Sequence, residues 1–340
     1  MQAAIAATIR NLPSKPRPLS DIYREHLDGY VLADELGFSH LWLAEHHFAD
    51  DDHNPSALPI LAAVAARTQR IRIGTYIILM AFHHPILVAE DAAVVDILSG
   101  GRFDLAVGAG PMPAECAVFG IDQKETFART YEALEIVQRC WTEEEFSHHG
   151  KYFNFDQVRM TTKPVQRPHP PIWMAAGGPQ SARKAAERGY HLAMGLGPGH
   201  EIYVQTLRGL GKSTADQKIC SGPVGIHLSD STGQAWDEAE VGLRAWLEFY
   251  QRRRAPFVGP IPPLGEFRKT PNIGFVGMPF LVGTVAEIGE RMRQMFKNAP
   301  LDELPLYFHL PGMEYEAVKK SMTLFSKHIL PDMKSWGGPK

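Results

Sequence analysis

The chain of 340 residues can bury a large core, and its 44% hydrophobic and 21% charged residues have the balance of a soluble globular enzyme. A formal net charge of -3 excludes a nucleic-acid binder held by a basic surface. No apolar stretch reaches the ~20 residues that cross a bilayer, and the opening "MQAAIAATIRNLPSKPRP" lacks a long apolar signal core, so a cytoplasmic protein without membrane contact is expected. Cys116, Cys140 and Cys220 stand far apart, odd in number and without zinc spacing, and read as buried inert thiols in a reducing compartment.

Residues 3 to 9, "AAIAATI", read as a first buried strand. The segment "SDIYREHLDGYVLADELG" reads as a helix: Ser20 is its expected N-cap, apolar residues recur at helical spacing, and Gly37 stops it. Next come a strand "HLWLAE", a helix "NPSALPILAAVAART", a strand "RIRIGTYII" and a helix "HPILVAEDAAVVDILSGG". A fourth strand "RFDLAVGAG" and a helix "KETFARTYEALEIVQRCW" follow. Residues 142 to 163 break the rhythm and predict a hairpin-like excursion. The alternation resumes with strands in "PPIWMAAGG", "YHLAMG" and "KICSGPVGIHLS", each followed by a helix. Residues 255 to 280, rich in Pro, Gly and aromatics, read as a packed lid. Thr284 and Glu287 have capping-box spacing at the start of "GTVAEIGERMRQMF", "LPLYFHL" is an eighth strand, and "YEAVKKSMTLFSKHIL" closes the chain.

Strands rich in Ile, Val and Leu, joined by helices, predict a parallel sheet covered on both faces. Eight strand–helix units predict an α/β fold, a (β/α)8 TIM barrel in a single domain over residues 1–340. An open doubly wound sheet is the alternative, and no GxGxxG follows the first strand to support it.

In such barrels chemistry collects at the C-terminal strand ends. Those ends are Glu45, His46 and His47; Thr75, Tyr76 and Ile77; Gly108, Ala109 and Gly110; and Ala176, Gly177 and Gly178. The glycines imply either close approach of a ligand or simple turns of the chain. Gly177 and Gly178 open onto a helix start, where free amides suit a phosphate. Adjacent His46 and His47 point to opposite faces of a strand, so one faces the barrel mouth and the other packs sideways. A mouth-facing histidine suits acid–base work near neutral pH. Two other readings stand beside it: a loop histidine bonded to backbone, and a metal site recruiting His53, His83, His84 or the carboxylates of Asp50, Asp51 and Asp52.

The ordered segments "GFSHLWLAEHHF", "IRIGT", "HPILVAEDAAVVDILSGGRFDLAVGAG", "FGID" and "PPIWMAAGGPQSARKAAERG" resemble the bacterial luciferase-like flavin monooxygenases. The match returns at "VGTVAEIGERM" and "SMTLFSKHILPDM". The resemblance implies a (β/α)8 barrel that uses reduced FMN and molecular oxygen. It implies that His46 lies over the flavin in a catalytic role, that Glu45 shares the pocket as a second catalytic residue, and that Tyr76–Ile77 carries a non-prolyl cis peptide. Thr75, Tyr76, Ile77, Gly108, Ala109, Ala176, Gly177, Gly178 and Ser181 become the expected cofactor-binding residues, with the phosphate at the helix start. Two family arginines are missing: Ala109 stands in "GAG" where relatives have "GRG", and Phe127 replaces an arginine, leaving Arg129 nearby and Arg183 as another cation. Each lost charge-assisted contact corresponds to roughly 1.5–3 kcal/mol.

The resulting expectation is a two-component monooxygenase. A separate flavin reductase supplies reduced FMN, and a small apolar substrate is oxygenated through a flavin hydroperoxide shielded from water. Met80, Phe82, Met112, Met194, Met278 and Phe280 form the expected apolar lining, with ordinary core packing as the alternative for each. A homodimer follows from the resemblance. The rivals are a deazaflavin-dependent oxidoreductase of the same fold, a non-catalytic flavin-binding protein, and a metal-dependent barrel hydrolase.

Overall fold

Short strands of Ala, Val, Ile and Leu alternate with amphipathic helices along the chain. The computed structural model describes residues 1–110, 112–253, 260–270, 274–275 and 278–339. The strands are β1 (Gln2–Ala7), β2 (His40–Leu43), β3 (Arg72–Thr75), β4 (Ile78–Leu79), β5 (Phe103–Gly108), β6 (Phe146–His149) and β7 (Asn154–Val158). They continue as β8 (Ile172–Ala175), β9 (His191–Ala193), β10 (Val224–Leu228), β11 (Gly274–Phe275), β12 (Met278–Pro279), β13 (Leu281–Gly283) and β14 (Glu303–Tyr307). The helices are α1 (Leu19–Glu35), α2 (Ala57–Arg67), α3 (Pro85–Ser99), α4 (Pro113–Phe119), α5 (Thr126–Thr142) and α6 (Pro179–Arg188). After them come α7 (Pro198–Gly209), α8 (Thr232–Arg252), α9 (Val285–Phe296), α10 (Tyr315–His328) and α11 (Leu330–Met333).

The strands β14, β1, β2, β3, β5, β8 and β9 pair side by side, all parallel. Two single bridges close the ring, Leu192 to Ile219 and Cys220 to Glu303. The fold is therefore the expected (β/α)8 barrel. The seventh strand is not the continuous run expected over 218–229. It touches both neighbours at Ile219 and Cys220, then β10 departs: Val224 and Gly225 pair with β14, while Ile226 to Leu228 pair with β13.

Side-chain parity sorts the barrel into layers. On β2 and its extension, His40, Trp42, Ala44 and His46 face inward while Leu41 and Leu43 join the core under the helices. On β5 the inward set is Asp104, Ala106 and Gly108, against outward Phe103, Leu105 and Val107. At the bottom His40 lies between Glu303 and Asp104, and Asp104 also accepts from Arg72 Nε at 2.6 Å and Trp173 Nε1 at 3.0 Å. Above this layer Ala4, Trp42, Tyr76, Ala106, Trp173, Ala193 and Cys220 plug the interior. Gly74 is small because Trp42 stands against it: a Cβ there would lie 2.3 Å from the indole. The plug ends at Tyr76, and open space begins above it.

Two helices stop where the sequence places glycines: Gly100 after α3 and Gly189 after α6 adopt left-handed φ of 66° and 73°. Thr284 and Glu287 form the expected capping box on α9. Ser20 is not the cap of α1. The helix begins at Leu19, so Ser20 lies in its first turn. The expected hairpin is present as the antiparallel pair β6–β7. Of the expected lid, residues 255–259, 271–273 and 276–277 lie outside the described residues; the remainder includes a short turn at Phe267–Lys269 and the β11–β12 pair.

Candidate active site at the barrel mouth

The space above Tyr76 is a cavity of about 1240 Å³, its open mouth included. It lies at the C-terminal ends of the strands, where parallel barrels expose their loops. Its walls are mostly carbon, with a few polar groups aimed inward, Glu45 and His46 among them. That combination is the usual form of a small-molecule site.

His46 is held at both ring nitrogens. Nδ1 lies 3.3 Å from Glu115 Oε1, and Nε2 lies 3.0 Å from the Tyr250 hydroxyl. Burial works to raise the Glu115 carboxyl, but His46, the His47 amide and Arg253 outweigh it and hold its pKa below the ordinary value. A carboxylate can only accept, so the proton sits on Nδ1. Burial pushes the Tyr250 phenol up to about 12, so it keeps its proton and meets Nε2 as a hydroxyl able to donate or accept. The ring is thus fixed in orientation, with a proton on Nδ1 and a hydroxyl at its second nitrogen.

Glu115 is fully buried on α4. Its Oε1 also accepts from the His47 backbone amide at 3.0 Å and from Arg253 Nη1 at 3.2 Å. Arg253 in turn donates to the His47 and Phe48 carbonyls at 3.1 and 2.9 Å, tying the loop after β2 to the end of α8. Glu45 is buried as well. Its Oε1 accepts from the Leu79 amide and from His83 Nε2, both at 2.8 Å. Burial raises this carboxyl and the two histidines with the amide lower it, for a net shift below the ordinary value.

The other expected residues divide between the cavity wall and the outer face. Tyr76, Ile77, Gly108, Ala109 and Gly177 line the cavity with Glu45 and His46. Thr75 and Ala176 stand on the outer face: the Thr75 hydroxyl donates to the Ala106 carbonyl at 2.6 Å, and Ala176 joins the core beneath the helices. Gly178 and Ser181 lie beyond the wall at the start of α6, where the Ser181 hydroxyl donates to the Gly178 carbonyl at 2.9 Å. The peptide Tyr76–Ile77 is cis and non-prolyl. His47 packs sideways among Phe82, His83 and Phe119, and His53 packs against His46 and bonds the Thr8 hydroxyl.

Of the expected apolar lining, Met112 and Met194 reach the cavity. Met80 is core, Phe82 stacks on Phe119, and Phe280 packs on Trp246 and Phe267; Met278 also joins the core. Phe127 lines the cavity and is half exposed. Arg129 is turned away: its Nε donates to the Ala81 carbonyl at 2.8 Å, and its guanidinium lies 4.6 Å over the Phe153 ring. Arg183 is exposed on α6.

A family model described as luciferase-like monooxygenase matches residues 1–303. The chain belongs to the luciferase-like monooxygenase family. The oxygenase component of a flavin-dependent trigonelline monooxygenase from Acinetobacter baylyi is 32% identical over 327 residues, 91% of this chain and 89% of that protein. An F420-dependent glucose-6-phosphate dehydrogenase from Kineococcus radiotolerans is 33% identical over 320 residues, 89% of this chain and 91% of its own length. Among solved structures, the monooxygenase RslO1 from Streptomyces bottropensis superposes with a TM-score of 0.83 at 28% identity, covering 98% of this chain and 99% of RslO1. These luciferase-like relatives are oxidoreductases of both flavin and F420 types. Among the described residues of this member, no helix is long and apolar enough to cross a membrane.

Proposed function

We propose that this luciferase-like protein is the oxygenase of a two-component flavin monooxygenase, taking reduced FMN from a separate reductase and using molecular oxygen on a small apolar substrate. The observation that carries this reading is the fixed imidazole of His46 in a largely apolar cavity. The flavin monooxygenases among its relatives support it.

The residues present fit a flat ring system. Gly108 brings the β5 backbone against Ile77, and a Cβ on Gly177 would meet no protein atom within 4 Å, so both strand ends leave room along one wall. Tyr76, Ile77, Gly108 and Ala109 would hold the rings, and the amides at the start of α6 would meet the phosphate. Reduced flavin supplies the electrons that activate oxygen. His46 holds or delivers a proton at Nε2, Glu115 and Tyr250 fix its ring, and the apolar walls exclude water.

The second reading is an F420-dependent dehydrogenase, supported by the Kineococcus relative at 33% identity. We also propose a single barrel domain working as a homodimer, with exposed Leu87, Val94, Ile97 and Leu98 of α3 as the apolar surface between copies.

An anaerobic titration with reduced FMN, and separately with reduced F420, followed by mixing with oxygen, tests the choice. FMN binding, with a flavin absorbance transient that outlasts free flavin, is expected. Binding of F420 alone, or oxygen consumption identical to that of free FMN, overturns the monooxygenase reading.

A further inference from the structure

The paired histidines do not share a ligand, because His46 faces the cavity and His47 turns away from it. His47 instead meets Glu45 and His83. The ligand atoms of these three residues all lie within 4.8 Å of one another. His83 Nε2 is 2.8 Å from Glu45 Oε1, and His47 Nε2 is 3.5 Å from the same oxygen.

Two buried atoms of this cluster, Glu45 Oε2 and His47 Nε2, have no hydrogen-bond partner among the described residues. Buried polar atoms of that kind call for an explanation, and an ion is one of the few available. We infer that Glu45, His47 and His83 form a binding site for a borderline divalent cation of the zinc class.

Three features support the assignment. Two imidazoles and one carboxylate are the ligand types that zinc takes. Bonds of about 2.0–2.2 Å put the ligand atoms of a tetrahedral ion about 3.3 Å apart, and the two separations from Glu45 bracket that value. The His83 side chain is 27% exposed, which leaves an entry path and room for a water as fourth ligand. Glu45 and His47 follow β2 and His83 follows β4, so the ion would clamp two loops of the cavity rim and hold the Glu45 wall in place.

The test uses the intact protein and Zn²⁺ alone. Equilibrium dialysis should find one Zn²⁺ per chain, with affinity reduced at least tenfold by His83→Ala and by His47→Ala and unchanged by His46→Ala. His83 is partly exposed, so its variant keeps the fold, as circular dichroism would verify. Co²⁺ added to the unsubstituted protein gives a second readout, the visible bands of a tetrahedral site. Absent stoichiometric binding, affinity in the His47 and His83 variants unchanged from the unsubstituted protein, or only the weak spectrum of octahedral Co²⁺ would overturn the site.

Discussion

Glu115 Oε1 lies 3.3 Å from His46 Nδ1, so a carboxylate fully buried on α4 sets the orientation of the histidine at the barrel mouth. The same oxygen holds the His47 amide and Arg253. Removing it strands a nearly buried guanidinium and frees the ring to turn. Glu115→Ala should lower turnover about a hundredfold, the scale of a small misplacement of a reacting group. It should also destabilise the fold by about 3–5 kcal/mol, because Arg253 loses its counter-charge. Glu115→Gln retains an acceptor and should recover most of the stability but only part of the rate. Turnover and urea midpoints of the two variants check this; equal loss of rate and stability in both would make Glu115 merely structural.

His46 itself has a different signature. His46→Ala should keep the fold, since Glu115 retains the His47 amide and Arg253. Product per flavin oxidised should fall at least tenfold while hydrogen peroxide rises to match, because oxygen is still consumed without a positioned proton donor. Parallel assays of product and peroxide decide it. An unchanged ratio removes His46 from the chemistry.

The site was legible where strand geometry governs and obscure where distant helices contribute. Strand parity along "HLWLAEHH" is enough to separate His46 from His47. The same rule, applied to β3 and β8, would have set Thr75 and Ala176 on the outer face; closeness to a strand end alone does not distinguish the faces. Glu115 is 69 residues from His46 and Tyr250 is 204 away. Neither Glu115 nor its short helix α4 stands out in the sequence, and no local pattern pairs this glutamate with a histidine. The seventh strand failed for a related reason. Its apolar run is continuous in "KICSGPVGIHLS", but β13 competes with the barrel for its second half. Ser20 lost its expected cap role because Pro18, immediately before α1, stands at the capping position.

The proposed FMN site lacks the arginine that the family resemblance would put at position 127, and it can be supplied. Phe127 lines the cavity and is half exposed, so an arginine there has both reach and solvent. Phe127→Arg should tighten FMN about tenfold or more, the equivalent of one charge-assisted contact of roughly 1.5–3 kcal/mol. Riboflavin, which lacks the phosphate, should gain nothing. Fluorescence titrations with both ligands measure the difference, and equal gains would place the phosphate elsewhere.

Two glycines of the cavity should respond in opposite ways. A Cβ at Gly108 would stand 1.9 Å from Ile77 Cδ1, whereas one at Gly177 would meet nothing within 4 Å. Gly108→Ala should therefore cost about 1–3 kcal/mol of stability through overpacking. Gly177→Leu should leave the melting temperature nearly unchanged while weakening flavin binding at least tenfold, because its side chain would enter the open space. Thermal melts paired with flavin titrations separate strain from occlusion. Tight flavin binding by the Gly177 variant would move the ring site off β8.

Stability should be greatest near pH 6.5 and fall on both sides, through different histidines. Burial lowers the pKa of His40, but Glu303 and Asp104 reverse this and raise it to about 9, above the ordinary 6.5. Its contribution, on the order of 3 kcal/mol, is complete below 6.5 and is lost as pH rises through 9. His26 and His53 behave oppositely: burial holds both well below 6.5, so the unfolded chain takes up protons that the fold refuses. Their contribution is complete above 6.5 and is lost as pH falls. Asp104, held at about 2 by His40 and Arg72 against the effect of burial, adds a further loss only below about 4. Urea midpoints between pH 5 and 9 should trace this dome. His40→Gln should lower the whole curve and flatten its alkaline limb. His26→Gln, which retains a partner for the Tyr30 hydroxyl now 3.2 Å from the ring, should flatten the acid limb. A profile that is level from pH 5 to 9 would mean that these buried charges are compensated in the unfolded chain.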